Sequence, residues 1–376
     1  MPEPSIHDLL HETFPASGKE DWLRTASQEL TEKNTIENLI WKVDEIKFYP
    51  YYEKEDVKNL AYLKGFHNRL PDTTYHHARN WGNLSKITVT EERNANERAL
   101  QYLATGADGI LFDVSPGIDC NIQLLLEKID WPSCTVSFLT PPDPKFAAKV
   151  LAYADQRKYD HSKLTGSIFW KSVPEIVALK QPTTQTLKRY HPFGILIPRS
   201  SPVQEISTSL EQAMHIMDAK TALGMEKESV FRSISLAFPC DENFFITIAK
   251  LKAIRLLWYQ LSQAYEITSF SPEELHIHVI SEKWIDEKFE PHGNMIKNTT
   301  HALASVLGGC NALTLIADEE SNETMNRIAR NVSILLKEES HVDKVADPVA
   351  GAYALECIVH ALSQAAWSEF QKNVSV

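Results

Sequence analysis

Eight short runs rich in β-branched and aromatic residues, each followed by a segment of helical pattern, predict an α/β chain folded as a (β/α)8 TIM barrel with an irregular N-terminal extension. Three observations carry this. The runs recur at roughly 23 to 43 residues from start to start, a spacing that suits strand–helix units. Several of the helical segments stop at glycine, as at Gly106, Gly224 and Gly308, which suits a helix C-terminus. The count reaches eight, the number that closes a parallel sheet into a barrel. An open doubly wound sheet is the alternative for the same alternation.

The elements follow in order. Before residue 85 the texture is irregular: "EDWLRTASQEL" reads as a helix, "IKFYPYYEKEDVKNL" as a short strand, a break at Pro50 and a helix, and "NRLPDTTYHHARNWGN" as turns. Residues 1–85 are therefore assigned to an extension or docking arm, and 86–376 to the barrel. The expected strands are Lys86–Thr90, Gly109–Val114, Cys134–Leu139, Gly166–Lys171, Phe193–Pro198, Ser233–Phe238, His276–Ser281 and Ala312–Ala317. Helical patterns such as "NERALQYLATG", "PKFAAKVLAYADQ", "EISTSLEQAMHIMDAKTALG" and "NMIKNTTHALASVLGG" lie between them. The long segment Asn243–Glu266 repeats apolar residues (Phe244, Ile248, Leu251, Ile254, Trp258, Leu261) at helical spacing, which predicts core packing.

Composition bounds the function. A 43% apolar and 23% charged chain of 376 residues can bury a large core. A net charge of −12 argues against nucleic acid and anionic membrane surfaces as partners. No apolar run is long enough for a membrane span, and "MPEPSIHDLLHETFP" has acids and prolines where a secretion signal needs basic and then apolar residues. Five widely spaced cysteines (Cys120, Cys134, Cys240, Cys310, Cys357), none in a CxxC pair, fit reduced thiols in the cytoplasm.

Barrel chemistry sits at the C-terminal ends of strands. The residues expected there are Thr90, Asp113, Thr140, Lys171, Arg199–Ser201, Pro239–Cys240, Ser281–Glu282 and Asp318, which form no catalytic constellation. His76 and His77 are adjacent and diverge on any regular element. His276 and His278 share one strand face but lack a third ligand, so no metal site is expected. "YDHSKLTGS" holds Asp160, His161 and Gly166 but does not match the cobalamin-ligand pattern Asp-x-His-x-x-Gly. GxGxxG, Walker A, GxSxG and HExxH patterns do not occur.

The C-terminal third supplies what the strand ends do not. "RIARNVSILLKEESHVDKVADPVAGAYALECIVHALSQAAWSEFQ" (Arg327–Gln371) resembles the methylmalonyl-CoA mutase family, whose pattern runs R-I-A-R-N-T-Q, E-E-S, D-P-x-G-G-S-Y-Y-x-E and A-W. "NMIKNTTHALASVLGGCNALTL" (Asn294–Leu315), "NFFITIAKLKAIRLLW" (Asn243–Trp258), "IKFYPYYEKEDV" (Ile46–Val57) and "NANERALQYLATGADGILF" (Asn94–Phe112) resemble further motifs of that family, the last being similar to its small, non-catalytic chains. The resemblance implies a TIM barrel threaded along its axis by an acyl-CoA, and radical isomerisation of methylmalonyl-CoA and succinyl-CoA on adenosylcobalamin. The cobalamin would be held by a separate flavodoxin-like domain. It also implies heterodimers of one catalytic and one related, non-catalytic chain.

Against that pattern this sequence departs at functional positions. The family's S-I-S-I-S-G-Y-H-M-Q-E is "ILIPRSSPVQE" here, anchored on Gln204 and Glu205. Ile195, Ile197 and Arg199 then stand at the inward serine positions, where they are expected to fill the tunnel. Pro202 replaces the substrate-contacting His and has no group to donate or take a proton. Phe289 replaces a substrate-contacting Gln. Ile195, Ile197, Arg199, Pro202, Gln204 and Phe289 are thus the candidates for a degenerate site. After the closing helix–turn–helix the family continues into the cobalamin domain, whereas Val376 is the last residue here. The expectation is a small subunit that binds no cofactor and is inactive alone. It would stabilise a catalytic large subunit, the cytoplasmic partner that carries adenosylcobalamin. The alternative is an active mutase barrel served by a cobalamin domain on another chain.

Overall fold

Strict alternation of outward and inward residues along the eight apolar runs builds a closed wall. The protein was studied as a computed structural model, which describes residues 17–30, 35–60, 79–115, 118–140, 143, 145–171, 173–178, 187–282, 293–317 and 319–374. The N-terminal part holds helix α1 (Lys19–Glu29), the antiparallel hairpin β1 (Trp41–Val43) and β2 (Ile46–Phe48), and the one-turn helix α2 (Lys54–Val57). The barrel strands are β3 (Gly82–Val89), β4 (Gly109–Val114), β5 (Thr135–Thr140), β6 (Thr165–Trp170), β7 (Arg189–Leu196), β8 (Ile234–Pro239), β9 (His276–Ile280) and β10 (Ala312–Thr314). All are parallel and pair in chain order, and β10 closes onto β3. Outside lie α3 (Glu92–Ala104), α4 (Ile122–Leu125), α5 (Phe146–Gln156), α6 (Val173–Ala178), α7 (Pro202–Ala222), α8 (Lys227–Arg232), α9 (Phe244–Ala264), α10 (Gly293–Gly308), α11 (Glu323–Glu338) and α12 (Tyr353–Val374).

The expected (β/α)8 barrel is what forms, and each of the eight expected strands is present. Three boundaries move by three residues or more, each for a local reason. β3 starts at Gly82, ahead of Lys86. "GNLS" reads as a turn, yet Asn83 is held by its own bonds: Nδ2 donates to Arg330 O at 3.0 Å and the backbone N–H to Asp108 Oδ2 at 2.9 Å. β7 starts at Arg189 rather than Phe193. Pro192 argues against a strand interior, but the β6–β7 register shifts between Ser167 and Phe169, and such an irregularity accommodates proline. β10 stops at Thr314 instead of Ala317, because the Ile316 N–H turns to Ser281 Oγ at 2.8 Å.

Several helices start on side-chain caps. Glu91, Ser201, Asn243 and Asn322 accept backbone N–H groups at the starts of α3, α7, α9 and α11. α9 is buried along most of its length, including Lys250 and Arg255. Arg255 is tolerated there because four acceptors face it: Pro272 O, Leu275 O, Gly309 O and Asn311 Oδ1, at 2.6–2.9 Å. Lys250 is fully buried and lies 2.5 Å from Glu205 and 2.6 Å from Asp241, tying α9 to the top of α7 and β8. Burial alone would push the Lys250 ammonium down, but the two carboxylates outweigh it and hold its pKa above the usual lysine value. Among the described residues no helix is long and apolar enough to cross a membrane.

α12 packs across α7 and α9, and Lys252 of α9 fixes its start through Asp347 at 2.8 Å and Glu356 at 3.7 Å. Gly351 turns the chain there at φ 77°. The described part of the extension lies on this helix: α2 and β2 pack against α12, and Phe48, 1% exposed, belongs to the main core. Phe48→Ala should therefore destabilise the barrel itself by about 3–5 kcal/mol. Urea unfolding followed by far-UV circular dichroism checks this. An unchanged barrel transition would show the extension to be independent.

Candidate functional site

In a strand, successive side chains face opposite ways, so every barrel strand contributes one set to the helix shell and one to the axis. The burial clusters separate these sets. Ile110, Phe112, Val136, Phe138, Ile168, Trp170, Ile195, Leu236, Ile277, Val279 and Leu313 join the large cluster under the helices. Leu111, Leu139, Phe169 and Ala237 form a second, separate cluster, with Leu196 and Ile280 packed on it. These six come from six different strands and constitute one apolar layer across the axis.

The layer is closed by design of its neighbours. Phe169 and Gly194 are register partners, and a Cβ on residue 194 would come within 2.8 Å of Phe169 Cδ1. The missing side chain at 194 is what lets the Phe169 ring enter the axis. The ring then meets the His278 imidazole edge-on at 5.4 Å. His278 is fully buried, and its Nε2 lies 2.8 Å from Thr314 Oγ1.

Towards the N-terminal ends of the strands the axis is polar and narrow-walled. Ser235 Oγ donates to Ser167 Oγ at 3.0 Å, and Ser137 Oγ accepts the Ser167 N–H at 3.1 Å. Further out the mouth widens into a cavity of about 600 Å³ bordered by Thr135, Thr165, Arg189, His191, Arg232 and His276. His191 and His276 stack there at 4.9 Å. At the opposite, C-terminal rim, ion pairs join neighbouring or nearby strands. Arg199 reaches both Glu282 at 2.9 Å and Cys240 O at 3.1 Å, and Asp113 meets Lys86, the mid-strand register partner of Leu111, at 3.1 Å.

The sequence candidates distribute differently from their expected tunnel positions. Ile195 and Ile197 face the helix shell, not the axis. The residue of β7 that reaches the axis is Leu196. The reason is the two-residue period: anchoring the motif one position away exchanges the inner and outer sets. Arg199 lies at the rim, 34% exposed, in the contacts just given. Pro202 is the first residue of α7, buried behind the Ser201 cap, a position proline favours. Gln204 is exposed, and its backbone N–H donates to Ser201 Oγ. Phe289 lies outside the described residues, as do His76, His77 and Asp318.

Other candidates resolve into structural roles. Cys240 is buried against Ser305 Oγ at 3.4 Å, and burial pushes its thiol up to about 12, so it is no nucleophile. His161 Nε2 sits 3.0 Å from Asp155, on the turn before β6. Among the described residues no group of three or more His, Cys, Asp or Glu side chains converges as metal ligands. Sequence reasoning missed Leu111, Leu139, Phe169 and Leu196, and singled out His278 only as a metal-ligand candidate. The signal for them was available as every second residue of the expected strands, once Gly194 fixed the phase of β7.

The interior histidines set an acid limit. Burial lowers His191 and His301 to about 4 and His278 to about 3, and drives His276 well below its usual value. The unfolded chain binds these protons from about pH 6.5 downwards while the folded chain resists them. Stability should be full above pH 6.5 and fall on the order of 1.4 kcal/mol per pH unit per histidine between there and the folded values. Urea midpoints at pH 7.5 and pH 5.0 test this; equal midpoints would contradict it.

With this geometry in view, the relatives are informative. The family model described as methylmalonyl-CoA mutase matches residues 199–375. The methylmalonyl-CoA mutase small subunit of Porphyromonas gingivalis (strain ATCC BAA-308 / W83) is 26% identical over 96% of this chain and 64% of its own length. The methylmalonyl-CoA mutase of Rhizobium meliloti (strain 1021) is 24% identical over 92% of this chain and 56% of its own. The small subunit from Streptomyces virginiae is 29% identical over 49% of this chain and 29% of its own. The chain thus spans between about half and two thirds of the length of the first two relatives, aligned along nearly all of itself. Through residues 199–375, and less strongly along nearly all of its length, the chain is similar to proteins of the methylmalonyl-CoA mutase family.

Proposed function

We propose that this chain is the small, non-catalytic subunit of an adenosylcobalamin-dependent methylmalonyl-CoA mutase, pairing with and stabilising a catalytic large subunit in the cytoplasm. The observation that carries the reading is the apolar layer of Leu111, Leu139, Phe169, Leu196, Ala237 and Ile280 across the axis. Phe169 is fully buried, and side chains of six of the eight strands meet at its level, where a thioester arm threading the axis would have to pass. An arm entering the axis would have to displace side chains packed at interior density, which costs both their burial and their contacts.

The chemistry of the rim agrees. Pro202, which the Gln204–Glu205 anchor aligns with a His of the family pattern, can neither donate a hydrogen bond to a thioester nor move a proton. Two cations, Lys86 of β3 and Arg199 after β7, are engaged by Asp113 and Glu282. The Asp160–His161 pair does not fit a cobalt ligand: it lies on the N-terminal side of β6, and its ring nitrogen faces Asp155. Adenosylcobalamin, which supplies the radical for carbon-skeleton isomerisation, is accordingly assigned to the partner. Pairing would be driven by burial of apolar surface between the chains.

Two measurements test this reading. Co-expression with the catalytic large chain should give a stoichiometric complex by size exclusion and light scattering. A chain that stays alone at micromolar concentrations of both would overturn the subunit assignment. The isolated chain, supplied with adenosylcobalamin and a separate cobalamin-domain chain, should not convert methylmalonyl-CoA. Isomerisation in that mixture would establish the rival reading, a working barrel served by another chain.

A further inference from the structure

Away from the axis, three buried polar atoms surround one small void in the barrel wall. The β10–β3 ladder consists of only two pairs, Ala312↔Gly82 and Leu313↔Asn83. Past it a crevice of about 20 Å³ is bordered by Ser85 and Lys86 of β3, Tyr102 of α3, Leu315, and Asn326 and Arg330 of α11. Ser85 and Arg330 are 6% and 5% exposed. Ser85 Oγ, Arg330 Nε and Arg330 Nη1 are sealed from solvent and have no hydrogen-bond partner among the described residues. The rest of the guanidinium is held. Nη2 donates to Thr105 Oγ1 at 3.3 Å and lies 3.7 Å from Glu323, and the plane stacks on Tyr102 at 4.2 Å.

Buried donors and acceptors are nearly always paired, with protein or with ordered water. We propose that this crevice is a binding site for an ordered water molecule, which accepts from the Arg330 guanidinium and exchanges a hydrogen bond with Ser85 Oγ. The size fits: one water needs roughly 10–15 Å³ of room for its centre and two to four polar partners. Charge decides between water and a small anion. Among the described residues Arg330, Lys86 and Arg98 are the cations around the crevice and Tyr102, and Glu323, Asp113 and Glu320 are the carboxylates, so these charges balance. A neutral ligand is therefore favoured. The water ties α11 to β3 where the ladder bonds between β10 and β3 have ended, and so completes the closure of the barrel.

A crystal structure of the full chain at high resolution should show a solvent peak within hydrogen-bond distance of both Ser85 Oγ and the Arg330 guanidinium. An empty crevice, or Ser85 Oγ bonded directly to protein, would overturn the proposal. An anomalous peak at the same place after a bromide soak would replace water by an anion and overturn it equally. In solution, Ser85→Val fills the void and leaves the guanidinium dry, so its melting temperature should fall by several degrees. Ser85→Ala keeps room for the water and should fall less. Equal losses, or a Ser85→Val chain more stable than the parent, would count against the water.

Discussion

The apolar layer inside the barrel rests on the two-residue period of a β-strand. Each barrel strand hands alternate side chains to the shell and to the axis, so a single phase decides what the axis contains. In β6 that phase sends Phe169 inwards and Trp170 outwards; in β7 it sends Gly194 and Leu196 inwards and Ile195 outwards. Gly194 is the linchpin of this arrangement. Any side chain there would collide with both the Ile168 carbonyl and the Phe169 ring. Its absence permits a ring to lie in the one place where a threaded ligand would need space.

The likeness to the mutase family and the closed axis are compatible once the matching residues are located. Asn243 caps α9, Lys250 joins Glu205 and Asp241, and Arg255 gathers four acceptors from the loops beneath the barrel. Asp347 and Glu356 hold Lys252 at the start of α12, and Arg330 stacks on Tyr102. Most of these lie in the stretches quoted for the resemblance, and Lys250, Arg255, Arg330 and Glu356 are buried polar groups that would be costly to leave unpaired. Motifs of this kind persist because the scaffold needs them, whatever the axis does. A resemblance built on them identifies a fold and a family but is silent about turnover.

The same distinction explains what the sequence disclosed. The eight strands were legible because β-branched runs and glycine-ended helices are local signals. The departures arose where a non-local bond overrode local propensity, as with Asn83 at the start of β3 and the Ile316 N–H at the end of β10. The helix shell was legible from the helical spacing in α9. The axis was not, because period two is unforgiving: an anchor displaced by one residue nominates Ile195 and Ile197 when Leu196 is the inner residue. Arg199 follows the strand and Pro202 opens α7, where the Ser201 cap and a proline at the first turn are local signals of a helix start. The Phe169–His278 contact joins residues more than a hundred positions apart, and no local pattern announces it.

On the proposed reading, the closed axis is what a binding partner that performs no chemistry would be expected to keep. An open tunnel lined with serines forfeits dispersion contacts and leaves polar groups to be satisfied by solvent or ligand. Filling it with Leu111, Leu139 and Phe169 restores those contacts, while the serines that remain, Ser137, Ser167 and Ser235, bond to one another below the layer. Proline at position 202 works in the same direction. At the first turn of α7 its fixed φ is already helical and its missing N–H is one the helix would not have used, so the start of the helix gains rigidity where the family pattern carries a reactive imidazole. Active sites hold strained or unfilled positions at the expense of stability, and a chain relieved of turnover is free to give them up. The substitutions at the axis and at the start of α7 therefore share one physical sense, towards a stiffer, better-packed body.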